Sequence, residues 1–211
     1  FALEKFGIDE VRPWDTRFLS EQLRQEKYAI SEEELRPYFP LEKVLTGMFE
    51  VVERLYGIRV QRAVAPDHWH DDVLFFEIFR ERDRIARFYV DAFARPHKQG
   101  GAWMNDCRVR RESGNFLQLP AAFLTCNFTP PVGDVPALLT HSEVVTLFHE
   151  FGHGLHHMLT RQTCAAVSGI NGVSWDAVEL PSQFMENWCW QAESISLISG
   201  HWQTLDSLPD A

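Results

Sequence analysis

An α+β fold, mainly helical with a small antiparallel sheet, is what the sequence predicts, and three observations predict it. Apolar residues recur every three or four positions in the first and last thirds of the chain. Short β-branched and aromatic runs fill the middle, and Gly- and Pro-bearing stretches at 95–101 and 129–136 separate those runs as loops. With 211 residues, 45% of them hydrophobic and 24% charged, the chain has the composition of one globular unit able to hold a core without disulfides.

The elements follow in order. Asp15 is a candidate N-cap before TRFLSEQLRQEKYA, and Ser31 heads SEEELRPYF, where Glu34 completes a capping box. Pro37 and Pro40 punctuate this region. From Leu41 to Tyr56, the positions Val44, Leu45, Met48, Val51, Val52 and Leu55 mark one buried helix face, with Gly57 as its stop. IRVQRAV, VLFFEIF and RIARFYVDAF then read as strands of an antiparallel sheet, the last two joined by the charged stretch RERD. AAFLTCNF, over 121–128, is a further strand candidate. Helices return over about 140–159 and about 176–199, separated by the loop SGINGVS. In the first of these, Thr140 and Glu143 form a capping box, and Val144, Val145, Leu147, Phe148 and Leu155 supply apolar ridges.

Charge and cysteine usage exclude several function classes. Lys plus Arg number 20 against 30 Asp plus Glu, a net charge of −10, which argues against nucleic acid or an anionic membrane surface as a partner. No apolar run approaches the ~20 residues of a membrane span. Cys107, Cys126, Cys164 and Cys189 lie far apart without a CxxC pair and read as core thiols; a reducing compartment fits, so the expected location is cytoplasmic. The opening FALEKFGIDE carries neither a signal-peptide pattern nor an initiator methionine. Together with an end at SLPDA, it predicts a segment of a longer protein.

The helix over 140–159 contains His149-Glu150-Phe151-Gly152-His153, an HExxH spacing. Residues four apart share a helix face with Cβ atoms about 5–6 Å apart, so both imidazoles can converge on one ion. Glu150 stands one step around the helix, beside the ion, placed to take a proton from an activated water. In a chain of this composition the spacing would arise by chance about 0.03 times. Gly152 and Gly154 each cost about 1 kcal/mol in a helix interior, which implies close packing there. A catalytic zinc needs a third protein ligand and an open position. His156 lies ~10.5 Å along the axis from His149, too far to share its ion, and a metzincin would need Gly at 156 and His at 159, where this chain has His156 and Leu159. A carboxylate from the following helix is the natural candidate, with Asp176, Glu179 and Glu186 available.

HEFGH followed by DAVELPSQFMENW resembles the thimet oligopeptidase family of zinc metallopeptidases, most of all its bacterial branch. Further matches run through PWDTRFLSEQLRQEKYAISEEELRPYFPLEKVL, RLYGI, KQGGAWMNDCRVRR and CNFTPP, so the resemblance covers nearly the whole chain. It implies a zincin-like active-site helix, one Zn²⁺ held by His149, His153 and Glu179, and Glu150 as the catalytic general base. The apolar run AVELPSQFMENWCW would bury Glu179, which needs a neutralising metal or partner. Asp176 could equally be an N-cap, and Glu186 could orient a histidine through its free ring nitrogen. The resemblance also implies short unstructured peptide substrates and internal cleavage. An extended substrate would pair with a sheet edge, for which Gly101 and Ala102 are candidates. Residues 1–211 then form a single catalytic-core segment whose partners are the remaining segments of the same full-length protein. The competing class is a non-catalytic zinc-binding or interaction module; Glu150 discriminates, since a structural site has no use for a general base.

Two other features carry simpler readings. His68-Trp69-His70-Asp71-Asp72 has the look of a metal cluster but lies beside Pro66 and reads as a solvated turn. The 7 Trp and 16 Phe read as core.

Overall fold

Caps and proline set the N-terminal helices. In the computed structural model, which describes residues 1–28 and 31–208, α1 spans Ala2–Phe6, α2 Pro13–Tyr28 and α3 Glu32–Leu35. Pro13 opens α2, where its missing N–H costs nothing. Asp15 therefore sits inside the first turn rather than at the cap, accepting the Arg12 amide at 3.1 Å. The expected end of this helix at Ala29 lies outside the described residues. Ser31 and Glu34 form the capping box, with bonds of 3.2 and 3.0 Å, but Pro37 turns the rest of that segment into a 3₁₀ turn over Arg36–Tyr38. α4 runs Leu41–Tyr56 and ends at Gly57 in the left-handed region, φ 61°.

The strands are β1 Arg59–Arg62, β2 Leu74–Arg80, β3 Asp83–Phe93, β4 Trp103–Arg108, β5 Arg111–Ser113, β6 Phe116–Gln118 and β7 Ala121–Phe128. The main sheet has the order β1-β2-β3-β7-β4, and β5 pairs with β6 as a separate hairpin. The expectation of an antiparallel sheet is corrected here. β1, β2, β3 and the β4–β7 pair are antiparallel, but β7 returns parallel to β3, Arg87 opposite Ala121 and Val90 opposite Leu124. The chain between β3 and β7 is long enough for the crossover a parallel pair requires, and it contributes β4, which the polar run WMNDCR did not announce as a strand.

One face of the sheet carries the core. Phe76 and Phe88 stack at 5.1 Å, Phe49 of α4 meets Phe76 at 4.9 Å, and Phe151 meets Phe88 at 5.4 Å. Phe151 belongs to α5, His141–Met158, which lies across β7 and β4. The helix expected over about 176–199 is broken: a turn over 175–179 leads to α6, Leu180–Glu186, then a 3₁₀ turn Asn187–Trp190 and α7, Ala192–Ile198. Pro181 fits a first turn but not a helix interior, so no helix runs through from Asp176. Two readings of apolar side chains also change. Trp14, Trp175 and Trp190 are 71%, 93% and 67% exposed rather than core, and Cys107 and Cys164 are exposed while Cys126 and Cys189 are buried.

A buried ionic network locks the loop that leads into β4. Asp91, on β3, accepts from Arg95 at 2.6 and 2.7 Å, from Lys98 at 2.9 Å and from the Trp69 indole at 2.8 Å. Burial pushes this carboxyl up, but the three donors outweigh it and hold it at about 2. Its stabilising effect is present above the ordinary carboxylate value and is lost as pH falls through about 2. Asp91→Asn leaves the Lys98 ammonium buried without its counter-charge, so it is expected to cost roughly 3–5 kcal/mol at pH 7. In urea titrations the gap to the parent should narrow as pH drops below about 4.

Candidate metal centre

α5 starts on the cap expected of it: the Glu143 amide donates to Thr140 Oγ1 at 3.1 Å, and the Thr140 amide donates to the Glu143 carboxylate at 2.8 Å. Two turns on, His149 and His153 lie side by side, ring centroids 4.9 Å apart and planes at 83°. Glu179 reaches them from the N-cap position of α6. Its Oε2 lies 3.2 Å from His149 Nε2 and 3.1 Å from His153 Nε2. One donor atom from each residue lies within 4.8 Å of the others, the sole such group of His, Cys, Asp or Glu among the described residues.

Helix packing produces this convergence. A methyl on Gly152 would sit 2.6 Å from both the Pro181 carbonyl oxygen and the Ser182 Cα, so only glycine lets the start of α6 lie main chain to main chain on α5. Gly154 faces the sheet, where a methyl would meet the Leu124 side chain at 3.1 Å. The close packing that two glycines in one helix implied is thus present on both flanks.

The donor chemistry fits a divalent cation. His149 Nδ1 is 2.6 Å from Glu186 Oε1; a carboxylate only accepts, so Nδ1 carries a proton, and Nε2 is the ring nitrogen turned to Glu179. A lone pair facing a carboxylate oxygen at 3.2 Å repels unless a proton or a cation lies between them. His153 Nε2 makes the same approach, and its buried Nδ1 has no hydrogen-bond partner. The set of two imidazoles and one carboxylate is that of an open zinc site.

The surrounding groups are tuned differently. Glu150 is 7% exposed. Burial pushes its carboxyl up, Glu179 adds to the rise, and His149 and the Met104 amide of β4 oppose it. His153 is lowered chiefly by burial, with Glu179 opposing. Glu179 is held below the usual carboxylate range first by the Ser182 hydroxyl, against the effect of burial and with the help of the two imidazoles. The expectation that an apolar run buries Glu179 is corrected: its side chain is 49% exposed, because the segment is a turn and short helical pieces with one side open.

The remaining candidates separate. Glu186 joins the group through His149. Asp176 is exposed in the turn before α6 and caps nothing there, since the N-cap is Glu179. His156 lies on another flank of α5 and lines a cleft of about 490 Å³ with Pro181 and Gly169. Gly101 and Ala102 immediately precede β4, the edge strand, and the Gly101 carbonyl accepts from Asn127 Nδ2 at 2.7 Å. In the 68–72 turn His68 and His70 pair with Asp71 and Asp72 at 3.7 and 3.5 Å rather than with each other. Sequence reasoning missed three contributors. These are Ser182, buried against Gly152; the Met104 amide; and His157, whose ring donates to the Arg108 carbonyl at 2.8 Å and pins the end of β4. Only Ser182 left a signal, as the hydroxyl three residues after Glu179.

The fold and this site define a class, and comparison with known proteins places the chain in it. Peptidase family M3 matches residues 1–211, and the chain belongs to that family. It is 57% identical over 212 residues to oligopeptidase A of Escherichia coli (strain K12), covering 99% of this chain and 31% of that protein. It is 48% identical to the probable cytosolic oligopeptidase A of Arabidopsis thaliana, covering 96% of this chain and 30% of the relative. With the dipeptidyl carboxypeptidase of Escherichia coli it shares 39% identity over 97% of its length and 30% of the relative. The chain thus spans under a third of the curated relatives it matches.

Gly152→Ala is expected to force α6 off α5 and lower stability by roughly 1–3 kcal/mol, measured by urea unfolding. Gly154→Ala should stay within about 1 kcal/mol of the parent, because gained helix propensity offsets a shift of a flexible leucine.

Proposed function

We propose that residues 1–211 are the catalytic-core segment of a zinc-dependent endopeptidase, an oligopeptidase that hydrolyses internal bonds of short unstructured peptides. The observation that carries the reading is the meeting of His149 Nε2, His153 Nε2 and Glu179 Oε2, with buried Glu150 one residue from the first of them. His149, His153 and Glu179 would hold one Zn²⁺, and α5 would be the zincin-like active-site helix. Bound there, the ion supplies Lewis acidity that polarises a peptide carbonyl and brings the pKa of water toward ~7.

The chain's own groups do the rest. Glu150, its carboxyl raised by burial, accepts the proton of the attacking water and later passes it to the leaving amine. Glu186 keeps the proton of His149 on Nδ1, so Nε2 stays free to coordinate. The main chain at Gly101 and Ala102, entering the open edge of β4, would align an extended peptide by backbone hydrogen bonds, which select for unfolded substrates. Asp176 has no role in this scheme. Internal cleavage is preferred to removal of terminal dipeptides because identity to oligopeptidase A is 57%, against 39% to the dipeptidyl carboxypeptidase.

The partners in this reading are peptide substrates and the remaining segments of the full-length protein. Exposed Trp14, Trp175 and Trp190 and a span of 31% of the related oligopeptidase A support the latter. No helix among the described residues is long and apolar enough to cross a membrane. Four cysteines without disulfides suit the cytoplasm.

Glu150→Gln tests the assignment in the complete polypeptide. Metal analysis should find about one zinc per chain in parent and variant alike, while cleavage of a quenched peptide falls by roughly 10²–10⁴-fold. Equal cleavage by both proteins rejects Glu150 as the base.

A further inference from the structure

We propose that Ser182 is a positioning residue that sets metal affinity by holding the Glu179 carboxylate toward the two imidazoles; this rests on the zinc reading above. Glu179 needs such a device. Its side chain is 49% exposed, it sits on a turn residue ahead of α6, and a glutamate carboxylate held only by solvent samples several rotamers. Ser182, by contrast, is fully buried. Its single hydroxyl proton is shared between the Glu179 main-chain carbonyl at 2.9 Å and Glu179 Oε2 at 2.8 Å. Oε2 is the same oxygen that faces His149 and His153. The three-centre bond therefore ties the coordinating oxygen to the backbone of its own residue and fixes the torsions between.

That bond would be of little use if Ser182 could move relative to α5. Its Cα lies where a Gly152 side chain would begin, at 2.6 Å from the methyl position, and Gly152 stands directly before His153. The hydroxyl is thus referenced to the imidazoles through a main-chain contact. Groups that orient metal ligands in this manner typically govern affinity by 10–100-fold.

Ser182→Ala removes the hydroxyl and keeps the main chain that packs on Gly152. Zinc affinity of the complete polypeptide, measured by competition with a chromogenic chelator, should fall 10–100-fold, while the melting midpoint of the chelator-stripped protein stays within a few degrees of the parent. Unchanged zinc affinity overturns the proposal. So does a loss of zinc accompanied by a collapse of the metal-free melting midpoint, which would make Ser182 a structural cap. Glu179→Gln separates the two readings. If the parent binds no zinc, the metal centre itself is wrong. If Glu179→Gln loses zinc and Ser182→Ala does not, only the role of Ser182 falls.

Discussion

Everything at this site depends on one main-chain contact, the seating of the Pro181–Ser182 backbone on Gly152. Two histidines four apart are supplied by any helix with that spacing, but the third group must arrive from elsewhere and meet them within a few tenths of an ångström. A side chain at 152 would hold α6 away by the width of a methyl group or more. Glu179 Oε2 would then leave the 3.1–3.2 Å separations that bring it to both imidazoles. Glycine's cost to helix propensity is about 1 kcal/mol, small beside the packing that closes over it.

The opposite flank of α5 is governed by the edge strand. β4 is pinned before its first residue by Asn127, which donates to the Gln99 and Gly101 carbonyls at 2.8 and 2.7 Å. It is pinned at its last by the His157 ring on Arg108. The Asp91 network holds the intervening loop through Lys98, which also donates to the Phe93 carbonyl at 2.7 Å. The same network orients Trp69, so the 68–72 turn that resembles a metal cluster in sequence is a tether for this loop. Glu150 lies between the metal-facing flank and this strand, and the Met104 amide faces its carboxylate. A buried carboxylate and the open main-chain edge of β4 are thereby set on one side of the helix.

Local signals were legible because they rest on local physics. The capping boxes at Ser31 and Thr140, the Leu41–Tyr56 helix and the strand over 121–128 depend on residues within a few positions of one another, and all formed as read. The parallel pairing of β3 with β7 did not show, because strand direction is decided by a crossover and not by the strands' own residues. WMNDCR hid a strand because, at a sheet edge, its outward side chains have no apolar neighbour to meet. The exposed Glu179 was misread as buried for a related reason: hydrophobicity of a segment predicts burial only where something covers it, and Leu180, Phe184 and Trp190 are themselves 71%, 43% and 67% exposed. His149, Glu150 and His153 were singled out by spacing, whereas Glu179 was singled out by resemblance, with Asp176 and Glu186 as rivals; the packing of α6 brings Glu179 to the two imidazoles and leaves Asp176 in the exposed turn.

Two carboxylates of the site, Glu179 and Glu150, are pushed in opposite directions, and this gives the proposed chemistry its division of labour. Glu179, exposed and bonded by the Ser182 hydroxyl, is lowered, which keeps it anionic and suited to a permanent positive charge. Glu150, buried, is raised, the direction that strengthens a carboxylate as a proton acceptor. Exchanging the environments would defeat both roles: a buried ligand would resist ionisation, and an exposed base would bind protons too weakly to draw one from water. Paired groups with diverging environments are how acid–base roles are assigned in a site. Here the divergence follows from the burial of Glu150 within α5 and from the Ser182 hydroxyl that bonds exposed Glu179 at the start of α6.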